Sequence, residues 1–212
     1  RIETRCSCVP LFFPKTVKGS SAMPRPKSYD RAEAVEKACF AFWTHGYQAL
    51  GVRELEQLAG INQFAIRSEF GGKEGLYLEA LQLYADSAIS EEMAPMLSGG
   101  VASIEKFLNG LVTPGSATSS AAGCLMVNSG IENARIGSPK IAAAVEAYWS
   151  ALERHFRVAL ENEGFAGTRT QELARTLVTA VMGIHARNRS EGDQTAGRPL
   201  VIALTTMLGS GS

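Results

Sequence analysis

The chain has 212 residues, 45% of them hydrophobic and 20% charged, which fits a folded chain with one larger domain or a small domain joined to a bigger one, and argues against a disordered one. Lys+Arg and Asp+Glu are both 21, so net charge does not draw the protein to a polyanion, and any basic surface has to be local. No apolar run approaches the roughly 18 residues of a membrane-spanning helix, so no membrane partner is expected.

At the start, Arg1 and Arg5 precede the apolar run Val9, Pro10, Leu11, Phe12 and Phe13. The order is that of a secretory leader, but the run is too short and is bracketed by Pro10 and Pro14. Residues 1–22 read as a leader or upstream extension, expected to be mobile, and the part built for folding opens at Met23. Lys15, Lys18, Arg25, Lys27 and Arg31 make a basic arm with few acids among them. An arm of this kind can touch a minor groove or phosphates, and it can equally be a solvated tail. Of four cysteines, Cys6 and Cys8 lie in the leader, and no CxxC or close histidine pair suggests a zinc site or disulfide framework. A reducing cytoplasm fits this usage.

From Asp30 onward the pattern is helical. Val35, Ala38, Cys39 and Phe42 repeat at i, i+3, i+4, i+7, Asp30 with Glu33 resembles a capping box, and Gly46 ends the helix. A short amphipathic helix over 52–58, a turn at 59–61 and a second short helix over 62–70 follow, then Gly71 and Gly72. A longer helix is expected from 73 towards 93, stopping before Pro95, and another over 101–112. Residues 113–122 read as a Gly/Ser/Thr/Ala loop and 124–135 as a helix. Ser138 and Pro139 give an N-cap with proline at the first helical position. They open a long helix whose Ile141, Val145, Tyr148, Leu152, Phe156 and Ala159 share a face, and Gly164 closes it. Thr168 with Gln171 reads as another capping box, opening a helix that carries Leu173, Leu177, Val181 and Ile184. Residues 187–197 look polar and loop-like, and 200–208 form a last apolar helix. No period-two strand or internal repeat appears, so the fold class is all-α.

The segment 52–73 carries the chemistry. Two short helices joined by a tight turn at Gly60 form a helix-turn-helix layout. The first is expected to bury Val52, Leu55 and Leu58, with Arg53 left outside. In the second, Ile61, Ala65 and Ile66 face inward, and Gln63, Phe64, Arg67 and Ser68 face out behind the N-cap Asn62. Gln pairs bidentately with adenine, Arg with guanine or phosphate, and Phe64 can meet a thymine methyl. Lys73 and Tyr47 are placed for phosphates.

Residues 31–76 resemble the N-terminal domain of the tetracycline-repressor (TetR) family. The resemblance rests on Ala41-Phe42 before His45-Gly46-Tyr47, then Val52-Arg53-Glu54-Leu55, Ala59-Gly60-Ile61 and Phe70-Gly71-Gly72-Lys73-Glu74-Gly75-Leu76. Gly123-Cys124-Leu125-Met126-Val127-Asn128, with Glu132 after it, is similar to a stretch of many of the family's regulatory domains. The resemblance implies about nine helices: a helix-turn-helix domain over 23–75, and a ligand-binding and dimerisation domain over 76–212 that dimerises through its last two helices. It implies a near-palindromic double-stranded operator, a homodimer, and a small-molecule effector whose binding releases DNA, with no cofactor and no enzymatic activity. Arg67 stands where the family commonly has a phosphate-binding Tyr, Gly51 where it has Ser or Thr, and Ser68 and Glu69 where His is common. Glu69, an acid close to DNA, is expected to point away or to pair with Arg67.

For the effector, an apolar pocket with a few polar anchors is expected. The candidates are Phe107, Leu111, Cys124, Met126, Asn128, Glu132, Tyr148, Trp149, Met182 and His185, and for each aromatic or Met plain core packing is the competing reading. Asn128 and Glu132, at i and i+4, can anchor a polar ligand group or brace neighbouring helices. Cys124 offers a different reading, a thiol sensor of electrophiles or oxidants, if it is accessible and its pKa is lowered at a helix N-terminus. A helical interaction module that does not bind DNA is a third. The chain has no nucleophile elbow, P-loop or HExxH spacing, so no catalytic residue is assigned.

Overall fold

The computed structural model describes residues 29–209. The leader 1–22, Cys6, Cys8 and the basic-arm residues Lys15, Lys18, Arg25 and Lys27 lie outside the described residues. Nine α-helices and no strand occur among the described residues. Helix α1 (Arg31–His45) starts at the expected cap, where the Asp30 carboxylate accepts from Glu33 N at 3.0 Å. Glu33 completes no box; it pairs with Lys37 one turn on, at 2.7 Å. Helices α2 (Val52–Ala59) and α3 (Gln63–Phe70) follow, and α4 (Lys73–Ser87) leads away from them.

The helix after Gly72 does not stop before Pro95 as its sequence suggests. Beyond Ser87 the backbone widens into a π-helical turn, Ala88–Met93, and then tightens into a 3₁₀ turn, Ala94–Leu97, with Pro95 in its first positions. Proline is tolerated there because the first turn of a helix leaves its N–H groups unpaired anyway. Helix α5 (Val101–Gly110), α6 (Leu125–Ile136), the long antiparallel pair α7 (Pro139–Asn162) and α8 (Thr168–Glu191), and α9 (Arg198–Gly209) complete the fold.

The shared face of α7 is buried at all six expected positions, from Ile141 to Ala159, against α8, α6 and the end of α4. Two helix ends differ from expectation. Gly167, in the left-handed region at φ 69°, caps α8 one residue before the expected Thr168, whose hydroxyl is left out of the cap. At its other end α8 runs on to Glu191 through a stretch that reads as loop. Buried Asn188 holds it there: its amide donates to Leu111 O and Gln194 O, and its oxygen accepts from Gly197 N.

Buried side chains form one continuous core from Ala34 on α1 to Leu208 on α9. The boundary expected at 75/76 falls in the first turn of α4, so both halves share that helix. It packs on α1 and α3 at its start and on α7 further along. Among the described residues, no helix is long and apolar enough to cross a membrane, and no cluster of His, Cys, Asp and Glu could hold a metal ion.

Candidate nucleic-acid interface

The short helices are set by their ends. Gly51 N donates to Glu54 Oε2 at 2.9 Å, half of a capping box that lets glycine start α2 without a cap side chain. Gly60 closes α2 in the left-handed region, at φ 68° and ψ 25°, where a Cβ is costly, and its N–H returns to Glu56 O at 3.1 Å. Two residues later the Asn62 side chain accepts from Ala65 N at 2.8 Å and opens α3.

The inward set of α3 matches the sequence: Ile61, Ala65, Ile66 and Phe70 are buried. Gln63, Phe64, Arg67 and Ser68 are all exposed, Phe64 at 78%. A groove of about 600 Å³ runs along this face, lined by Val52, Gln63, Phe64, Arg67 and Lys73 among others. Arg53 is exposed at the start of α2. Leu58, expected inside, is 44% exposed; the inward side of α2 is carried by Leu55 and Ala59, one turn apart. Glu69 is half-buried and meets the Tyr29 phenol. Burial and the neighbouring Glu69 carboxylate push the Tyr29 phenol up to about 12. Arg31 is engaged at the surface of its own chain, pairing with Glu79 at 2.6 Å and lying 4.6 Å over the Phe70 ring.

Lys73 and Tyr47 are less open than expected. The Lys73 ammonium sits 4.4 Å from the centre of the Tyr47 ring and donates to Leu50 O. Burial lowers its pKa, and the nearby Glu132 and Glu54 oppose that. The Tyr47 ring in turn packs on Tyr77 at 4.6 Å.

On the regulatory side, the candidates separate. Cys124, Tyr148 and Trp149 gather beside Tyr84: the Tyr84 hydroxyl donates to Cys124 Sγ at 3.4 Å, and the Tyr148 and Trp149 rings meet edge to face at 4.9 Å. Met126 is buried in the first turn of α6, just after Cys124 at its N-cap. Burial pushes the Cys124 thiol up, the opposite of what a reactive thiolate needs, and only 1% of the residue is exposed. His185 is buried, its Nδ1 has no hydrogen-bond partner among the described residues, and burial pulls its imidazole down to about 4. Phe107 packs edge to face on Phe156 and also borders a cleft of about 330 Å³ with Glu91, Glu92 and Lys106. Leu111 is a core residue whose carbonyl receives Asn188, and Met182 is half-buried on α8.

Of the two readings the sequence leaves open for Asn128 and Glu132, both side chains make the bracing contacts. The Asn128 amide donates to Ala122 O at 3.0 Å and holds the loop before α6. Glu132 points out of the C-terminal half: its Oε2 accepts from Tyr47 N at 2.7 Å and Gln48 N at 3.2 Å, between α1 and α2.

Comparison with known proteins decides the class. Residues 35–80 match the family model "Bacterial regulatory proteins, tetR family". The HTH-type transcriptional repressor ComR of Escherichia coli (strain K12) is 29% identical over 107 residues, covering 49% of this chain; the aligned part spans about half, 51%, of that repressor's length. The TetR family regulator CifR, solved as a cysteine mutant on 26-base-pair double-strand operator DNA, superposes with a TM-score of 0.69 at 22% identity, over 87% of this chain and 98% of that one. A transcriptional regulator of Saccharomonospora viridis in complex with choline gives 0.64 at 18% identity, over 84% and 95%.

Residues 35–80 thus form a TetR-type helix-turn-helix domain, within a fold shared with solved TetR-family regulators.

Within this TetR-type fold, sequence reasoning missed the contacts that join the two halves. Trp43 Nε1 donates to Gly123 O at 2.9 Å, and Arg189 Nη1 on α8 donates to Trp43 O at 3.3 Å and Ala122 O at 2.9 Å. Tyr77 and Ser129 share a buried hydroxyl contact at 2.6 Å. No local pattern announces pairs this far apart in sequence.

Proposed function

We propose that this protein is a TetR-type repressor that binds a near-palindromic operator as a homodimer and leaves it when a small molecule occupies the regulatory half. The exposed face of α3 carries the reading. Gln63, Phe64, Arg67 and Ser68 are presented on a helix whose other side is locked into the core, and Gln63, Phe64 and Arg67 line one open groove together with Lys73. Gln63 and Arg67 have the donors and acceptors that read base edges in a major groove. Arg53 and Lys73 supply phosphate contact, Asn62 lies at the DNA-side end of α3, and Tyr47 acts through Lys73.

The outer surface of α8 and α9 supports the dimer. Thr176, Thr179, Gly183 and Ala186 form an exposed small-residue row on α8. Leu200 and Met207 on α9 are 39% and 68% exposed, and Leu200 Cδ2 lies 4.0 Å from where a Cβ on Gly183 would stand. Two such surfaces meeting about a two-fold axis would fix the spacing of two α3 helices.

For the effector we favour the region of Cys124, Tyr148, Trp149 and His185. Cys124, Tyr84, Tyr148 and Trp149 combine aromatic walls with a thiol and two phenols, and His185, whose buried Nδ1 has no hydrogen-bond partner among the described residues, is a further polar candidate. The protein bound to choline supports a small-molecule site in this fold.

The test is selection of bound duplexes from a random DNA pool at physiological salt. Enrichment of a near-palindrome is expected. A folded dimer that enriches nothing would favour a helical interaction module over a repressor.

A further inference from the structure

Glu132 stands at the meeting point of the two halves. It lies near the C-terminal end of α6, and its carboxylate is aimed at the backbone that connects α1 to α2. One oxygen, Oε2, accepts from two consecutive amides, Tyr47 N at 2.7 Å and Gln48 N at 3.2 Å. The other, Oε1, occupies the space in which a Cβ on Gly46 would stand, so glycine at 46, with φ 85°, is what lets the carboxylate approach. Hydrogen bonds to a charged acceptor are shorter and about twice as strong as neutral ones.

The turn that Glu132 grips is the support of the reading helices. Tyr47 stacks on Tyr77 of α4 and lies under the Lys73 ammonium, which in turn donates to Leu50 O just before α2. Holding the 47 and 48 amides therefore sets where α2 begins, and α2 braces α3 through its buried Leu55 and Ala59. The grip is backed from the same helix by Ser129 on Tyr77, and from α8 by Arg189 on Trp43 O. All these contacts meet at or next to the C-terminal end of α1.

Resting on the DNA-binding reading above, we infer that Glu132 is a positioning residue for operator recognition: it clamps the α1–α2 turn to α6 and fixes the attitude of α3 relative to the dimer body. Glu132 rides on α6, whose first turn follows Cys124. A shift of α6 along its axis therefore has to carry the turn with it or break the clamp.

The experiment uses the full chain and the duplex enriched by the wild type, with a scrambled duplex as control. Glu132→Ala is expected to weaken the enriched duplex at least tenfold and the scrambled one less than threefold. Orientation is needed for base readout at both half-sites, whereas diffuse phosphate attraction tolerates its loss. The amide protons of Tyr47 and Gln48 should exchange faster, with oligomeric state unchanged. Glu132→Gln keeps an accepting oxygen at the same reach and should stay within threefold of wild type on the enriched duplex. Glu132→Asp keeps the charge but loses reach, and should behave like Glu132→Ala. The inference is overturned if Glu132→Ala binds as the wild type does, if it loses both duplexes equally, or if Glu132→Asp restores binding. Should the wild type enrich no duplex, the DNA reading fails. The clamp is still judged by exchange at 47 and 48, and unchanged exchange in Glu132→Ala and Glu132→Asp would overturn it alone.

Discussion

Lys73 and Tyr47 are joined face to charge: the ammonium lies 4.4 Å from the ring centre, on the wall of the groove that also contains Gln63, Phe64 and Arg67. A cation over an aromatic face is worth about 0.5–1 kcal/mol at an open site and more when desolvated. Only one of the three ammonium donors goes to Leu50 O, so the charge is shared between holding the turn and facing the groove. Lys73→Met keeps most of the stem and removes the charge. It should weaken cognate and random duplexes alike and lower the slope of log affinity against log salt by about one. Fluorescence anisotropy titrations at several salt concentrations check this. An unchanged slope would confine Lys73 to its structural role.

Gln63 belongs to the other class of contact. It is exposed at the first position of α3, which the Asn62 cap holds in place. Gln63→Ala should cost about 1–3 kcal/mol on the enriched duplex and little on a scrambled one, because a bidentate base contact discriminates by that amount. Repeating the selection with the variant should relax the consensus at one position in each half-site. Equal loss on all sequences would move base reading away from Gln63.

The reading face was legible because it depends on local rules. Helical period, an Asn cap and a glycine turn place Gln63, Phe64, Arg67 and Ser68 outward without any knowledge of the rest of the chain. Leu58 is exposed against expectation: hydrophobicity says only that a residue prefers burial, not which side of a helix its neighbours cover. For Glu132 and Asn128 the sequence leaves two readings open, ligand anchor or brace, and cannot choose between them. Their i, i+4 spacing puts them on one helix face, but which neighbour that face meets is a tertiary fact. The amides of Tyr47 and Gln48, some 85 residues away, are what Glu132 meets. Lys73 was read as open because its engagement with Leu50 O and Tyr47 depends on how α4 crosses the α1–α2 turn.

His185 predicts an acid-sensitive fold. Its imidazole is buried, and burial pulls its pKa down to about 4, below the ordinary 6.5. The unfolded chain therefore binds a proton that the folded chain refuses between those values. Stability from this group is full above about pH 6.5 and is lost as pH falls towards 4, by on the order of 3 kcal/mol. Thermal melts across that window should show a falling Tm. In His185→Leu the fall should be shallower. An equally steep fall in that variant would place the acid sensitivity in other groups.

Cys124 predicts chemical inertness. The thiol is buried, accepts from the Tyr84 hydroxyl, and is pushed away from ionisation by its surroundings. Iodoacetamide at pH 8 should label native Cys124 at least a hundredfold more slowly than the unfolded chain, as read by peptide mass spectrometry. Rapid native labelling with loss of DNA binding would revive a thiol-sensing role.

The dimer prediction turns on which side of α8 and α9 is used. Val181, on a helix through which the family resemblance implies dimerisation, is 2% exposed within its own chain, so a charge there would attack the core rather than an interface. Leu200 and Met207 lie seven residues apart on α9, which returns them to nearly the same side of the helix, and both reach the surface. Leu200→Glu with Met207→Glu would place like charges on each partner at a two-fold contact while leaving buried Val201, Leu204 and Leu208 in place. Sedimentation should then show a folded monomer with wild-type helix content. Its operator affinity should fall by much more than tenfold, because each half-site must then be bound without the help of the other. A dimer that survives both charges would move the contact off α9, and with it the spacing expected between the two reading helices.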